Sequence, residues 1–390
     1  MKKKIRKWGI LLLIGLIIGV LILNKDVLFK NKTKEIKKEN KIIIKDKTIT
    51  DGIFKDYYKK AEKVVSNMSI NEKVGQLFLV RYEKNDTTYL NNFYPGGYIL
   101  FAKDFNNHTK ESMKEELDNL QEISKYPLII GVDEEGGYVT RVSRYKEFRE
   151  EKFKSPREYY DIGGYSLLEE TEKEKIELLK SIGINLNLAP VADLSTNEED
   201  FIYNRAFGYD KEKTSEYIEK MVGYANNNKI SSTLKHFPGY GNNPDTHTGI
   251  AIDERSYETF VENDYKPFEA GIKSKVPSIL VSHNIVKCID EEYPSSLSKK
   301  VIRELREKLN FTGIIMTDDL AMDAVKSYVD DNEAATLAIN AGNDMIITSD
   351  FLSMKNELLQ SIEDKKIEEE TINRAVTRII AWKYYSGLIK

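Results

Sequence analysis

Two adjacent aspartates, Asp318 and Asp319, directly follow an apolar run at residues 313–317. A carboxylate held at the end of a buried strand can face a pocket and attack the anomeric carbon of a glycoside. We therefore predict that Asp318 is a nucleophile. We expect Asp319 to point elsewhere and to cap a helix that opens at Leu320. The alternative is that both aspartates only cap this helix.

A second chemical pattern is the segment 235–247, which runs Lys-His-Phe-Pro-Gly-Tyr-Gly-Asn-Asn-Pro-Asp-Thr-His. Its Asp245 and His247 are two residues apart, so an extended backbone places both side chains on one side. A carboxylate beside an imidazole orients the ring and favours its protonated form, which makes His247 a candidate proton donor. The alternatives are a surface loop with an incidental histidine, or a metal site on the Asp-x-His pair. No third metal ligand stands at a suitable spacing.

The third segment, at residues 131–141, runs Gly-Val-Asp-Glu-Glu-Gly-Gly-Tyr-Val-Thr-Arg. Its Asp133 ends an apolar run, and Arg141 follows a pair of glycines that allow close backbone approach. A carboxylate in this place can accept hydrogen bonds from sugar hydroxyls. Taken alone the pattern is weak, because charged glycine-rich turns are common.

Eight short apolar runs must position these residues. Near-continuous apolar strands are typical of parallel sheets that are covered on both faces. The apolar runs lie at 76–81, 97–101, 127–132, 184–190, 232–236, 278–282, 313–317 and 344–348. Helix-compatible stretches alternate with them, such as 110–123, 167–181, 211–226 and 299–308. Eight such units predict an α/β fold with a closed (β/α)8 barrel of the TIM type. An open doubly wound sheet is the alternative, although the glycine-rich nucleotide fingerprint of such sheets is missing.

Polar residues follow five of these eight runs: Asp133, Asp193, Lys235 with His236, Ser282 with His283, and Asp318 with Asp319. The carboxyl ends of the strands surround the active-site mouth of a TIM barrel. We therefore expect these side chains to meet at one end of the barrel.

The first 23 residues have the pattern of a membrane signal. A polybasic start is followed by an uncharged apolar run from Trp8 to Leu23, which is about 16 residues long. A spanning helix needs roughly 20 residues, and no small-x-small cleavage site follows the run. We predict an uncleaved signal anchor over 1–23, an extracellular linker over 24–54 and one barrel domain over 55–390. A cleaved signal peptide, which would give a secreted protein, is the alternative.

Charge is distributed unevenly along the chain. Residues 1–50 hold 14 Lys and Arg against 4 Asp and Glu, whereas the remainder holds 45 against 59. The acidic body argues against a nucleic-acid partner, and the basic arm favours anionic lipid or an anionic wall polymer. The single cysteine, Cys288, excludes an intramolecular disulfide and a cysteine-rich metal site. We predict a monomer with no metal and no cofactor.

Taken together, these motifs resemble glycoside hydrolase family 3, and within it the β-N-acetylhexosaminidase branch. The resemblance covers residues 60–390. Its segments are MSINEKVGQL at 68–77, GGYILF at 96–101, GVDEEGGYVTRV at 131–142, NLAPVADL at 187–194, NRAFG at 204–208, KHFPGYG at 235–241, SHNI at 282–285, PSSLS at 294–298, MTDDLAMDA at 316–324 and AVTRII at 375–380. The KHFPG loop that ends in Asp-x-His separates this branch from the β-glucosidases of the family.

The resemblance implies a barrel domain and a two-step retaining mechanism. Asp318 falls on the nucleophile, which forms a covalent glycosyl-enzyme, and His247 falls on the acid/base group, paired with Asp245. The sugar-binding positions fall on Asp133, Arg141, Arg205, Lys235 and His236. Asp193 and His283 also match family positions, and His283 fits a structural role as readily as a functional one.

Three departures from the family pattern affect the loops. Tyr138 stands where the family usually has Arg, Tyr240 replaces the second His of KHFPGHG, and the segment 235–245 is one residue shorter. The implied substrate is terminal β-linked N-acetylglucosamine, taken from peptidoglycan fragments outside the cell membrane. A phosphorylase, a β-glucosidase of the same family and a non-catalytic wall-binding protein are the alternative functions.

Overall fold

The computed structural model describes residues 51–84, 87–244, 249, 251–326, 328–329 and 333–390. Eight parallel strands form a closed barrel in the order β1-β10-β9-β7-β5-β4-β3-β2. The barrel strands are β1 Phe78–Arg81, β2 Gly97–Leu100, β3 Ile129–Val132, β4 Leu186–Asn187, β5 Ser231–Phe237, β7 Ser278–Val281, β9 Ile314–Asp319 and β10 Met345–Thr348. β1 closes the barrel because Leu79 pairs with both Gly97 and Ile347.

The eight barrel strands are the eight runs predicted from the sequence, so the predicted parallel barrel is confirmed and the open sheet is wrong. The observed strand bounds differ from the predicted runs by one to three residues, and the fourth and seventh strands differ most. The fourth strand is shorter, Leu186–Asn187, and the seventh extends through both aspartates to Asp319. The predicted membrane anchor at 1–23 lies outside the described residues. Within the described part of the chain, no helix is both long and apolar enough to cross a membrane.

Helices surround the barrel, and their bounds follow capping signals in the sequence. The helix Lys110–Ile123 begins after Thr109, whose side chain accepts from Ser112 N. The longest helix, Pro156–Ser181, bends at Gly163 and Gly164, where Gly164 has a φ of 62°. The other helices of seven or more residues are Tyr58–Val65, Ile70–Gln76, Thr87–Phe93, Lys211–Asn227, Tyr265–Lys273, Ala334–Ala341, Phe351–Glu363 and Glu369–Tyr385.

A small two-stranded sheet lies outside the barrel. It pairs β6, Ile252–Asp253, with β8, Ile285–Val286, in parallel. The sequence did not predict it, because two residues are too few for a periodic pattern. This sheet holds the returning end of the segment that carries Asp245 and His247.

At the end of the barrel opposite the carboxyl ends of the strands, a buried charge cluster joins two helical segments to β9 and β10. Asp344 accepts hydrogen bonds from Arg306, from Arg378 and from the backbone N–H of Ile315. Close by, the Nζ of Lys383 is fully buried and donates to Gln76 Oε1 at 2.7 Å. These groups close the base of the barrel, away from the carboxyl ends of the strands.

Burial lowers the pKa of Lys383 to about 7, whereas a lysine in the unfolded chain has a pKa of about 10.4. Between these values the unfolded chain binds a proton that the folded chain does not, so folding stability rises with pH. Relative to a Lys383→Met variant, the wild type is expected to gain roughly 2 kcal/mol of unfolding free energy from pH 7 to pH 9. Denaturant unfolding of both proteins at several pH values measures this gain. Parallel stability curves would contradict the prediction.

Candidate active site

A cavity of about 540 Å³ opens at the carboxyl ends of the barrel strands. Its walls hold six of the eight predicted site residues: Asp318, Asp133, Arg141, Arg205, Lys235 and His236. The other two, Asp245 and His247, lie outside the described residues. Asp133 follows β3, Lys235 and His236 lie near the end of β5, and Asp318 lies near the end of β9. Barrel closure therefore brings residues that are far apart in sequence to one site.

Lys235 and His236 are consecutive in β5, yet both reach the cavity. Adjacent residues of a regular strand face opposite sides. The pairing of β5 with β7 shifts register between Leu234 and Phe237. This irregularity falls on the two residues that face the cavity, so the end of β5 departs from regular strand geometry where it forms the site.

Glu135 organises the basic side of the site. Its carboxylate accepts from Lys235 Nζ at 2.6 Å, and from Arg205 Nε at 3.0 Å and Nη2 at 2.8 Å. Burial acts to raise the pKa of Glu135, but Arg205 and Lys235 outweigh burial and hold it well below its ordinary value. The pKa of Arg205 is raised above its ordinary value because the Glu135 carboxylate outweighs the opposing effect of burial. The cluster therefore stays ionised.

Sequence reasoning missed Glu135. The available signal was its place two residues after Asp133, because alternate residues of an extended chain share a side. Lys235 Nζ also donates to Asp133 Oδ1 at 2.7 Å, so one ammonium bridges both carboxylates. Asp133 lines the cavity, whereas Glu135 supports its wall from behind.

Asp193 fixes the ring of His236. Its Oδ2 lies 2.7 Å from His236 Nδ1 and also accepts from the backbone N–H of His236. His236 Nε2 lies 3.2 Å from Arg205 Nη2, which can only donate. This network assigns the ring proton to Nδ1 and makes Nε2 the acceptor. Asp193 is buried behind the wall, so its contacts are those of a supporting residue.

Arg141 lies over the ring of Phe101, with 5.3 Å between its guanidinium carbon and the ring centroid. Its Nη2 is 3.9 Å from Asp133 Oδ2. Its Nε is buried and has no hydrogen-bond partner within the described part of the chain. A buried donor of this kind is costly unless an acceptor is supplied, and an oxygen of a bound ligand could supply one.

The two aspartates at the end of β9 have different surroundings. Asp319 Oδ1 accepts from the backbone N–H groups of Ala321 and Ser349, at 2.9 and 3.1 Å. The backbone N–H of Asp319 donates to Asp318 Oδ1 at 2.8 Å. Burial raises the pKa of Asp319, while its backbone hydrogen bonds oppose that rise. Both aspartates line the cavity, but one carboxylate oxygen of Asp319 is held by two backbone N–H groups.

The predicted helix at Leu320 is wrong. The chain makes a turn in which the N–H of Met322 donates to the carbonyl of Asp319, and the helix begins only at Asp323. Asp319 therefore caps a turn and also ties β9 to the residue after β10. The physical reason is that pairing with β10 continues past Asp319, because the N–H of Leu320 donates to the carbonyl of Ile347 at 3.1 Å.

His283 does not line the cavity. It is buried, with Nδ1 2.7 Å from Ser296 Oγ and Nε2 3.1 Å from the carbonyl oxygen of Asp319. It therefore supports the backbone beside Asp318, which agrees with the structural alternative for this histidine.

A second cluster lies around the segment that follows β5. Arg255 donates to the carboxylates of Asp253 and Asp264 and to the carbonyl of Gly239. Burial raises the pKa of Asp264 to about 6, against the opposing charge of Arg255. Sequence reasoning did not single out these residues, because no short motif joins positions 239, 253, 255 and 264.

Aromatic side chains form the rim of the cavity. Tyr138 is 76% exposed and Phe201 is 37% exposed. A second cavity of about 710 Å³ shares Tyr138 and Asn204 with the first. It is lined by further charged and aromatic residues, among them Glu151, Lys152, Lys154, Arg157, Glu158 and Tyr203. The two cavities together can hold a ligand longer than one sugar ring.

Across the described ranges, no group of three or more His, Cys, Asp and Glu side chains could hold a metal ion. The cavity instead combines an aspartate near the end of a strand with alternating fixed cations and carboxylates. Such an arrangement can bind several hydroxyl groups and place a nucleophile beside one carbon.

The sequence matches the Glycosyl hydrolase family 3 N terminal domain over residues 69–382, most of the chain. The chain belongs to glycosyl hydrolase family 3. It is therefore a glycoside hydrolase, as the motifs indicated. The family 3 match also covers every strand of the barrel and every described residue that lines the cavity.

Curated relatives of this family 3 protein include two named beta-hexosaminidase. The relative from Methylobacillus flagellatus is 29% identical over 280 residues, which are 69% of this chain and 77% of that protein. The relative from Nitrosomonas eutropha is 29% identical over 292 residues, 72% of this chain and 81% of that protein.

A solved family 3 beta-N-acetylglucosaminidase from Paenibacillus sp. str. FPU-7 is 26% identical, with a TM-score of 0.76. The match covers 82% of this chain but only 63% of the solved chain, so the family 3 protein described here spans less than two thirds of that neighbour.

Proposed function

We propose that this family 3 enzyme is a retaining exo-β-N-acetylhexosaminidase that removes terminal β-linked N-acetylglucosamine. Asp318 is the proposed nucleophile, His247 the proton donor and Asp245 its partner. One observation carries the proposal: Asp318 lines a cavity that Lys235, Arg205 and Asp133 also line as fixed hydrogen-bonding groups. The names of the curated relatives support a hexosaminidase, and the name of the solved neighbour from Paenibacillus supports N-acetylglucosamine as the sugar.

In the first step, a carboxylate oxygen of Asp318 bonds to the anomeric carbon as the glycosidic C–O bond breaks. The leaving oxygen takes a proton from His247, so the aglycone departs as an alcohol. In the second step, neutral His247 takes a proton from water, and the water oxygen displaces the Asp318 carboxylate. Two inversions return the product in the β configuration.

The surroundings of the two aspartates favour Asp318 over its neighbour. A nucleophilic carboxylate must be able to approach carbon, and Asp319 Oδ1 is held by two backbone N–H groups, those of Ala321 and Ser349. The backbone N–H of Asp319 holds the Asp318 carboxylate in place. Lys235 and Arg205 can donate to sugar hydroxyls while Asp133 accepts, and Glu135 keeps both cations oriented.

Hydrolysis of an aryl β-N-acetylglucosaminide by the full chain tests the reaction. We expect turnover that releases N-acetylglucosamine and does not depend on phosphate. Release of the sugar 1-phosphate when phosphate is present would favour the phosphorylase alternative. Faster cleavage of aryl β-glucosides would favour the β-glucosidase alternative. Sugar binding without turnover would favour the wall-binding alternative.

The second cavity supports a leaving group larger than a phenol, and we propose peptidoglycan fragments as the source of substrate. The cavity continues from the first past Tyr138, and Lys152, Lys154 and Arg157 outnumber Glu151 and Glu158 on its walls. An excess of cations suits a leaving group that bears carboxylates. Mass analysis of purified muropeptides after digestion with this enzyme should show the loss of one terminal N-acetylglucosamine per glycan chain. Unchanged masses would contradict this substrate.

The proposed location is the outer face of the cell membrane, with residues 1–23 as an uncleaved anchor, 24–54 as a linker and a monomeric barrel domain over 55–390. The polybasic start and apolar run support the anchor. The mass of the intact protein from the membrane fraction tests it, because cleavage would remove the first residues.

A further inference from the structure

The segment that carries Asp245 and His247 follows β5 of the barrel and precedes β6 of the small two-stranded sheet, and Arg255 contacts both of its ends. The outgoing limb is residues 238–243 and the returning limb is residues 251–255. Arg255 Nη2 donates to the carbonyl of Gly239 at 3.1 Å and to Asp253 Oδ2 at 2.8 Å. Its Nη1 donates to both oxygens of Asp264, each at 3.0 Å. A single guanidinium thus joins the two limbs.

Each limb is also tied to the surrounding fold. In the outgoing limb, the N–H of Tyr240 donates to Asp193 Oδ1 at 2.8 Å. Asn243 Nδ2 donates to the carbonyl of Tyr240 and to Asp253 Oδ2, both at 2.7 Å. In the returning limb, the N–H of Ile285 donates to the carbonyl of Ala251 at 2.8 Å. Asp253 therefore receives both Arg255 and Asn243.

Two glycines of the outgoing limb allow this close approach. A Cβ on Gly241 would lie 2.4 Å from the guanidinium carbon of Arg255, and one on Gly239 would lie 2.4 Å from Asp264 Oδ1. Both glycines have a positive φ, 55° at Gly241 and 128° at Gly239. The ring of Phe260 lies 4.4 Å from the guanidinium carbon. The packing leaves no room for side chains between the limbs and Arg255.

We propose that Arg255 is a positioning residue for the proton donor: by holding the outgoing and returning limbs together, it fixes the two described ends of the segment that carries His247. His247 follows Asn243 by four residues and precedes Ala251 by four. A general acid must come within hydrogen-bond reach of the leaving oxygen, and a misplacement of about 1 Å can cost on the order of 100-fold in rate. The inference rests on the proposed role of His247.

The leaving-group dependence of an Arg255→Gln variant tests this role. A weakly acidic phenol needs proton donation to depart, whereas a strongly acidic phenol hardly does. For aryl β-N-acetylglucosaminides, kcat/KM with the weakly acidic phenol should fall on the order of 100-fold. With the most acidic phenol it should fall by no more than about threefold, because general acid catalysis contributes little there. Equal losses on both substrates would overturn the proposal.

A double-mutant cycle with His247→Ala sharpens the test. If Arg255 acts through His247, Arg255→Gln should cost nothing further on the weakly acidic substrate once the imidazole is gone. If the double variant instead loses kcat/KM by the product of the two single-variant factors, the inference is overturned. If His247→Ala alone does not steepen the leaving-group dependence, the donor assignment in the proposed function fails. If His247→Ala steepens the leaving-group dependence and Arg255→Gln does not, the donor assignment stands and only the role of Arg255 fails.

Two further variants separate positioning from general damage. Lys287→Gln removes an exposed ion pair with Glu254 of the returning limb. This ion pair does not involve the outgoing limb. The variant should leave the leaving-group dependence unchanged, and a change would overturn the proposal. Asp264→Asn keeps an acceptor for Arg255 but removes its charge, and should give a smaller effect in the same direction. It serves as the test variant if Arg255→Gln does not fold.

Discussion

Replacing Asp318 with alanine is expected to lower kcat on aryl β-N-acetylglucosaminides on the order of 10⁴-fold or more, as removal of a covalent nucleophile does. The variant should keep its fold, because the side chain faces the cavity rather than the core. Sugar binding should persist, since Lys235, Arg205 and Asp133 remain in place. Single-turnover kinetics and sugar binding measured by calorimetry give the two quantities.

Asp319→Asn is the matched control for this variant. The asparagine retains an oxygen that can accept from Ala321 and Ser349, so the turn after β9 should survive and kcat should fall by less than about tenfold. A fluorinated N-acetylglucosaminyl donor that accumulates the intermediate should add mass to the peptide containing Asp318 in the wild type. A label on another residue, or a greater loss from Asp319→Asn than from Asp318→Ala, would contradict the assignment.

Glu135→Ala is expected to have the largest effect on stability among the site residues, with a loss of about 3–5 kcal/mol in the free energy of unfolding. The substitution leaves Lys235 and Arg205 without the carboxylate that neutralises them in a buried place. Activity should fall as well, because both cations face the sugar. Denaturant unfolding and kcat/KM measure the two losses.

Glu174→Ala is the control, because Glu174 also binds an arginine through two hydrogen bonds, but at the surface. Its removal from Arg149 should cost no more than about 1 kcal/mol. The pKa of Glu135 lies below its ordinary value in the folded protein. Its contribution to stability is therefore present above the ordinary titration range of a glutamate and is lost as the pH falls through the folded pKa. Equal losses for both variants at neutral pH would contradict the buried role of Glu135.

The placement of polar residues at strand ends explains how much of the site the sequence could predict. A buried strand has a local signature, and a polar residue just after it lies at the carboxyl end of a closed parallel barrel, either in the cavity or behind its wall. For this reason Asp133, Lys235, His236 and Asp318 were found from position alone. Arg141 and Arg205 needed the family resemblance, because they lie on segments without a strand signature.

The roles of partner residues could not be predicted in the same way. Glu135 bonds to Arg205, which is 70 residues away in the sequence, and Asp193 bonds to His236, which is 43 residues away. The wrong helix start at Leu320 has the same origin, because the N–H of Leu320 bonds to Ile347 only once β9 and β10 are paired. Local patterns carry no information on such contacts.

The sequence by itself determined the barrel, the identity of its eight strands and the face on which polar residues gather, because burial and periodicity are local properties of the chain. The family, and with it the glycoside hydrolase class, also followed from the order of the motifs. Only the tertiary structure decided which charges pair: Glu135 with Lys235 and Arg205, and Arg255 with both limbs of the segment that carries His247. Closing the barrel sets the distances between strand ends, and those distances select the partners.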